Sequence, residues 1–227
     1  MAAKPASPPP ARTARYADDS SESLVEWFTL HGRKLVLGAI AALVIAAGVW
    51  FYRSSVATTR QSAESALYSA QGALASGNVQ LAQTDLAGVI ARFSGTPAAT
   101  QAGLLLAQTH YDMQDWDSGL RVLQDVQGSA GSAFTSAVQT LIAVGLEGNG
   151  DYAGAAQAHR AAANAAQFEP GRQTSLVAAA HAFAAAGDTA AAIAIWTELA
   201  ADPESQHASE ARVRLGELQA QAAGAQG

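Results

Sequence analysis

Four helix-breaking segments recur at a fixed interval along this chain. They are SGNV (Gly77, Asn78), MQDW (Gln114, Asp115), GNGDY (Gly150, Asp151) and AAGDT (Gly187, Asp188). Measured from Gly77, Gln114, Gly150 and Gly187, the spacings are 37, 36 and 37 residues. Alanine-rich helices of random length would not hold that register, and a period of this size is the mark of stacked repeats. Each break has the same physical reading. Gly, or once Gln, ends a helix in a left-handed cap, and the Asn or Asp that follows starts the next helix. A small residue then stands where two helices must touch: Ala82, Gly119, Ala155 and Ala192. Four positions later comes a larger side chain that plugs the gap: Leu86, Leu123, His159 and Trp196. Pro97, Pro170 and Pro203 lie in turn-forming stretches between the units.

Composition fits this layout. Hydrophobic residues make up 49% of the 227 residues, aromatics 7% and charged residues 14%. The apolar excess is largely alanine, a strong helix former with little volume, so thin helical layers suit it better than a thick core. The pattern resembles the tetratricopeptide repeat, two antiparallel helices per unit. Its units are slightly longer, and the large aromatic of the first helix is often missing. The expected fold is all-α: about four tetratricopeptide-like helix pairs in an α-solenoid, closed by a capping helix over Ser209–Gln221 with Glu210, Arg212, Arg214 and Glu217 outward.

Ahead of the repeats lies LVLGAIAALVIAAGVWFY, Leu35–Tyr52, without a charge. At roughly 1.5 Å per residue it spans about 27 Å, close to the roughly 30 Å of a bilayer's hydrocarbon core. Trp27 and Phe28 beside Arg33 and Lys34 on one side, and Trp50, Phe51, Tyr52 and Arg53 on the other, match interfacial belts. A cleaved signal peptide would have a shorter apolar core and a small-residue cleavage site, whereas this run ends in bulky side chains. The expected organisation is therefore a disordered Pro-rich tail over 1–22, an amphipathic juxtamembrane helix over 23–34, a transmembrane helix over 35–52 and a repeat domain over 53–227. Ser23 and Glu26 fit a capping box that starts the juxtamembrane helix. Gly38, Ala42 and Ala46 form a small-residue stripe suited to packing against another membrane helix.

Charge orients the anchor. Basic residues tie immediately around the span (Arg33 and Lys34 against Arg53 and Arg60), and Lys4, Arg12 and Arg15 tip the balance toward a cytoplasmic N-terminus. After residue 34 the chain carries 8 basic and 15 acidic side chains and no lysine. So acidic a soluble part is unsuited to nucleic acid, whose binding depends on Lys and Arg neutralising phosphates. The absence of cysteine excludes disulfides, thiolate nucleophiles and Cys-ligated zinc.

Anchor and repeats together resemble a more particular family. The run EWFTLHGRKLVLGAIAALVIAAGVWFYRSS, followed by RFSGTPAATQAGLLLAQTHYDMQDWDSGLRVLQDV, is similar to the ancillary subunit of the Sec translocon. That resemblance spans about residues 24–220. It implies a single-pass protein of the bacterial inner membrane with a cytoplasmic tail and a periplasmic tetratricopeptide-like domain. It also implies partners among Sec channel subunits, exported polypeptides and periplasmic chaperones. A structural scaffold subunit of another inner-membrane complex is the alternative.

No catalytic set is visible, and neither cofactor, metal nor small-molecule substrate is expected. His31, His110, His159, His181 and His207 lack metal-ligand spacing, and no Lys-Ser/Thr follows the glycines at 148–150 to make a phosphate loop. A repeat array instead presents a concave groove lined by the first helix of each unit. The unit register points Gln71, Gln108, Tyr111, Asp112, Thr140, Glu147 and His181 toward it. Of the consecutive His110, Tyr111 and Asp112, the first is expected to pack and the next two to be exposed, with Tyr111 as the aromatic anchor for a partner. The groove lacks the Lys/Asn/Arg set that would clamp a C-terminal carboxylate, and suits an extended neutral or partly basic polypeptide.

Overall fold

The computed structural model describes residues 19–224, with side chains from Arg33 to Gln221 apart from Leu35 and Ala39. The described secondary structure is helical throughout: α1 (Asp19–Ala75), α2 (Val79–Arg92), α3 (Pro97–Asp112), α4 (Trp116–Gln127), α5 (Ser132–Gly148), α6 (Tyr152–Ala165), α7 (Glu169–Ala185), α8 (Thr189–Ala201) and α9 (Ala208–Gly224). The chain divides into two compact units between Val56 and Ala57.

In the first unit, α1 already runs from Asp19, so the helix does not begin at the Ser23–Glu26 capping box. The segments expected at 23–34 and 35–52 are parts of one helix, which no proline interrupts between residues 19 and 75. Pro-rich residues 1–18 of the expected tail, and the side chains of Trp27 and Phe28, lie outside the described residues. From Val36 to Tyr52 the large apolar side chains are exposed, among them Leu43, Ile45 and Trp50. Among the described residues this is the one helix long and apolar enough to cross a membrane. Gly38, Ala42 and Ala46 are exposed too, and a Cβ added at Gly38 would meet open space.

The second unit is the expected solenoid: the α1 stretch from Ala57 pairs with α2, then α3 with α4, α5 with α6 and α7 with α8, and α9 covers the end. The four breaks fold alike. Gly77, Gln114, Gly150 and Gly187 take φ of 78°, 61°, 79° and 83°. In each, the N–H of the next residue reaches back to a carbonyl five residues earlier: Asn78 to Ala73, Asp115 to His110, Asp151 to Leu146 and Asp188 to Phe183, all at 2.8–2.9 Å. These bonds satisfy carbonyls that the helix end would leave bare. The same Asn and Asp side chains cap the following helices, accepting from the N–H of Leu81, Ser118, Gly154 and Ala191 at 2.9–3.2 Å.

Between the paired helices, small residues meet face to face. Ala70 and Ala82, Ala107 and Gly119, Ala143 and Ala155, and Ala180 and Ala192 are all buried. The plugs Leu86, Leu123, His159 and Trp196 are buried beside them, as their register required.

Tyr111 departs from expectation. It is buried, and its hydroxyl donates to the Leu141 carbonyl at 3.1 Å. Its ring fills the space where a Cβ on Gly119 or Gly145 would stand, and Trp116, 5.3 Å away between ring centres, does the same over Gly148. The two aromatics thus lock the second helix pair to the third, and glycine at those three positions is what lets them in. Near α9, the buried Gln173 joins α7 to the α8–α9 turn. Its amide nitrogen donates to Glu169 and Asp202, and its amide oxygen accepts from Ser205.

Two outcomes follow from this geometry. A left-handed backbone costs an L-residue about 1–2 kcal/mol, partly offset by glycine's greater entropy loss on folding. Gln114→Gly is therefore expected to raise stability by about 0.5–1 kcal/mol in denaturant titration, and a loss would show that the Gln114 side chain is needed there. Burial pushes the Tyr111 phenol up to about 12, above its ordinary value of about 10. The neutral ring's contribution is then complete below pH 10 and is lost as pH rises through 12. The difference in stability between wild type and Tyr111→Phe is expected to shrink across that window and to be constant below it, read from unfolding curves at each pH.

Candidate protein-binding groove

The concave side of the array belongs to the α1 stretch from Ala57 and to α3, α5 and α7. Of the residues the register pointed there, Gln71, Gln108, Asp112 and His181 are exposed, while Thr140 and Glu147 are half-buried. Tyr111 is a correction. With its ring in the core and its hydroxyl bonded within the fold, it has no surface to offer a partner, and truncating it would damage the packing. Its neighbours follow expectation, with Asp112 exposed and His110 largely packed, its Nδ1 3.2 Å from Asp115 Oδ2 in an ion-pair contact without hydrogen-bond alignment.

The repeat register carries the rest of the surface. Gln71, Gln108, Val144 and His181 stand at equivalent positions in successive units, as do Tyr68, Leu105, Leu141 and Ala178. Tyr68 is 79% exposed, and Leu105, Leu141 and Ala178 are half-buried. The second row is apolar and was missed by sequence reasoning, which picked out polar side chains; reading the period through each first helix would have found it. α3 and α5 contain no Lys or Arg, so Asp112 and Glu147 are their only carboxylates.

Three of the groove residues are held by neighbours. Glu147 Oε1 lies 3.1 Å from Nε2 of the buried His159 on α6. Thr140 turns its hydroxyl back to the Ser136 carbonyl at 2.9 Å. His181 packs edge-on against Trp196, 5.1 Å between ring centres, with Nε2 3.4 Å from Glu210 Oε1 on α9; His207 Nδ1 meets the other oxygen at 3.6 Å. Glu210 is therefore drawn inward between two histidines rather than left outward.

Charge elsewhere is spent internally. Asp115, a helix cap, is held below the usual carboxylate range, first by hydrogen bonds from Ser118 and then by His110. Arg172 forks between Glu169 and Glu198, and it holds the Glu169 carboxyl low in turn. A cleft of about 260 Å³ beside that fork, lined by Arg160, Asn164, Leu176 and Ile195, thus has its charges largely paired. Among the described residues no cluster of His, Asp and Glu is placed to hold a metal ion.

Comparison with known proteins agrees with this geometry. Two crystal structures match: a protein of Podosopora anserina described as a kinesin light chain with nearly identical TPR-like repeats, and a single-substitution variant of it. Each is 21% identical, covers 69% of this chain and 89% of the other, and superposes with a TM-score of 0.51. Identity that low carries the fold alone. No curated protein matches the chain. Repeats of this fold generally serve as non-catalytic scaffolds that bind other proteins. Residues 25–173 match the tetratricopeptide repeat-like domain, and the chain belongs to that family.

Proposed function

We propose that this protein is a membrane-anchored adaptor that binds polypeptide in its concave groove, as an accessory factor of the Sec translocon linking exported chains to periplasmic chaperones. The observation that carries the binding reading is the groove itself. It has two rows of side chains in register across four units, one glutamine-rich and one apolar, on helices nearly free of charge. Such a surface offers an extended chain apolar contact and amide hydrogen bonds while demanding no particular sequence. Support for the Sec assignment comes from the resemblance of the anchor and first repeats to that ancillary subunit. Localisation follows from the same argument: bacterial inner membrane, N-terminus cytoplasmic, repeats periplasmic.

A second reading is a fixed scaffold subunit of another inner-membrane complex. It is favoured by one observation, the exposed Gly38, Ala42 and Ala46 face of α1, which would let a neighbouring membrane helix approach closely.

Two measurements test these proposals. A reporter enzyme active only in the periplasm, fused after Gly227, is expected to be active; activity of a cytoplasm-only reporter at the same site reverses the orientation. Photo-crosslinkers at Gln71, Gln108 and His181 are expected to capture exported polypeptides or their chaperones in cells. Capture confined to Gly38, Ala42 and Ala46 would leave the groove without a client and favour the scaffold.

A further inference from the structure

The plug position of the four units reads Leu86, Leu123, His159 and Trp196. His159 is the polar exception, and it is buried as deeply as a plug must be, only 4% exposed. Its Nε2 meets Glu147 Oε1 at 3.1 Å, while its Nδ1 is buried with no hydrogen-bond partner. An unsatisfied buried acceptor costs free energy that leucine at the same place would not. What the histidine supplies in return is the fixed orientation of one carboxylate. That carboxylate stays 37% exposed, on the helix face that the register assigns to the groove.

The surroundings make it a site for a cation. Glu147 stands in the last turn of α5, where the helix dipole presents its negative end and no basic side chain answers it. Asp112 holds the equivalent place at the end of the preceding first helix, α3, and is exposed. The other carboxylates at these turns are already used: Asp115 and Asp151 cap helices, and Asp117 accepts from Asn149 at 2.7 Å. His110, the one basic group at the end of α3, is committed to Asp115.

We propose that Glu147, oriented by His159 and assisted by Asp112, binds a Lys or Arg side chain of the polypeptide lying in the groove. This rests on the groove-binding reading above and adds a chemical preference to it: neutral, extended segments bind, and a basic residue at the centre tightens them. One oxygen of Glu147 takes the histidine proton, and the other is left to accept from the ligand's ammonium or guanidinium. The surrounding amide and apolar rows hold the rest of the chain.

The test uses the full chain in lipid nanodiscs and fluorescein-labelled peptides of Leu, Ala, Gln and Ser that carry either Arg or Gln at the centre. Fluorescence anisotropy is expected to show the Arg peptide binding about three- to tenfold more tightly, with the margin shrinking as salt is raised. Glu147→Gln keeps an acceptor for His159 and is expected to bring the two peptides to parity. Asp112→Asn, on an exposed side chain, narrows the margin by a smaller factor. His159→Leu leaves net carboxylate charge unchanged but releases Glu147, and a reduced margin there separates an oriented site from general attraction to an acidic protein. Equal binding of both peptides to the wild type overturns this inference and leaves groove binding intact, and so does a margin unchanged in all three variants. Binding of neither peptide overturns the groove reading itself.

Discussion

Everything in the repeat unit depends on how closely the two helices of each pair can approach. Where Ala70 faces Ala82, Ala107 faces Gly119, Ala143 faces Ala155 and Ala180 faces Ala192, the backbones come near enough for small side chains to fill the space between them. A chain with 49% hydrophobic but only 7% aromatic residues has no other way to make a dense interior. Alanine surface is worth little per residue, at roughly 25 cal/mol per Å² buried, so no pair stands alone and stability accumulates along the stack. The few large side chains are placed where stacking needs them: Tyr111 and Trp116 between the second and third pairs, Phe183 and Trp196 near the end. Glycine at 119, 145 and 148 is the counterpart of those aromatics, since a Cβ at any of them would overlap a ring.

The same economy shapes the charges. Most acidic groups at the turns between paired helices are structural: they accept the free N–H groups of helix starts, and their negative charge meets the positive end of the dipole there. The acidic balance of the soluble part therefore overstates how much charge faces a partner. What remains on the concave helices is sparse, which is why a single carboxylate such as Glu147 matters. It has few neighbours to share its role, and a buried histidine to hold it.

Much of this was legible in the residues alone. The break spacing named the helix pairs, and the Gly, Gln, Asn and Asp at each break foretold both the left-handed caps and the helix starts. Local chemistry settles those features within five residues of each turn. The small and plug positions followed because the unit length fixes which side of a helix faces its partner. The start of α1 was misread because a capping box describes what can begin a helix, and nothing in Asp19–Glu22 compels the chain to wait for it.

The fate of individual side chains at the unit boundaries was a different matter. Tyr111 occupies a groove position by register, and sequence gave no reason to bury it. It turns inward because glycines at 119, on its own pair, and 145, in the next, open a slot that only stacking brings together. Glu147 looked like one more solvated polar residue until α6 laid His159 against it. Sequence by itself determined the period, the caps, the helix pairs and an apolar segment long enough to cross a membrane, because each rests on local backbone preference or on composition. Only the tertiary structure decided which groove residues remain available to a partner, because that depends on contacts between units some thirty residues apart, and a repeat pattern fixes the spacing of side chains but not the empty space beside them.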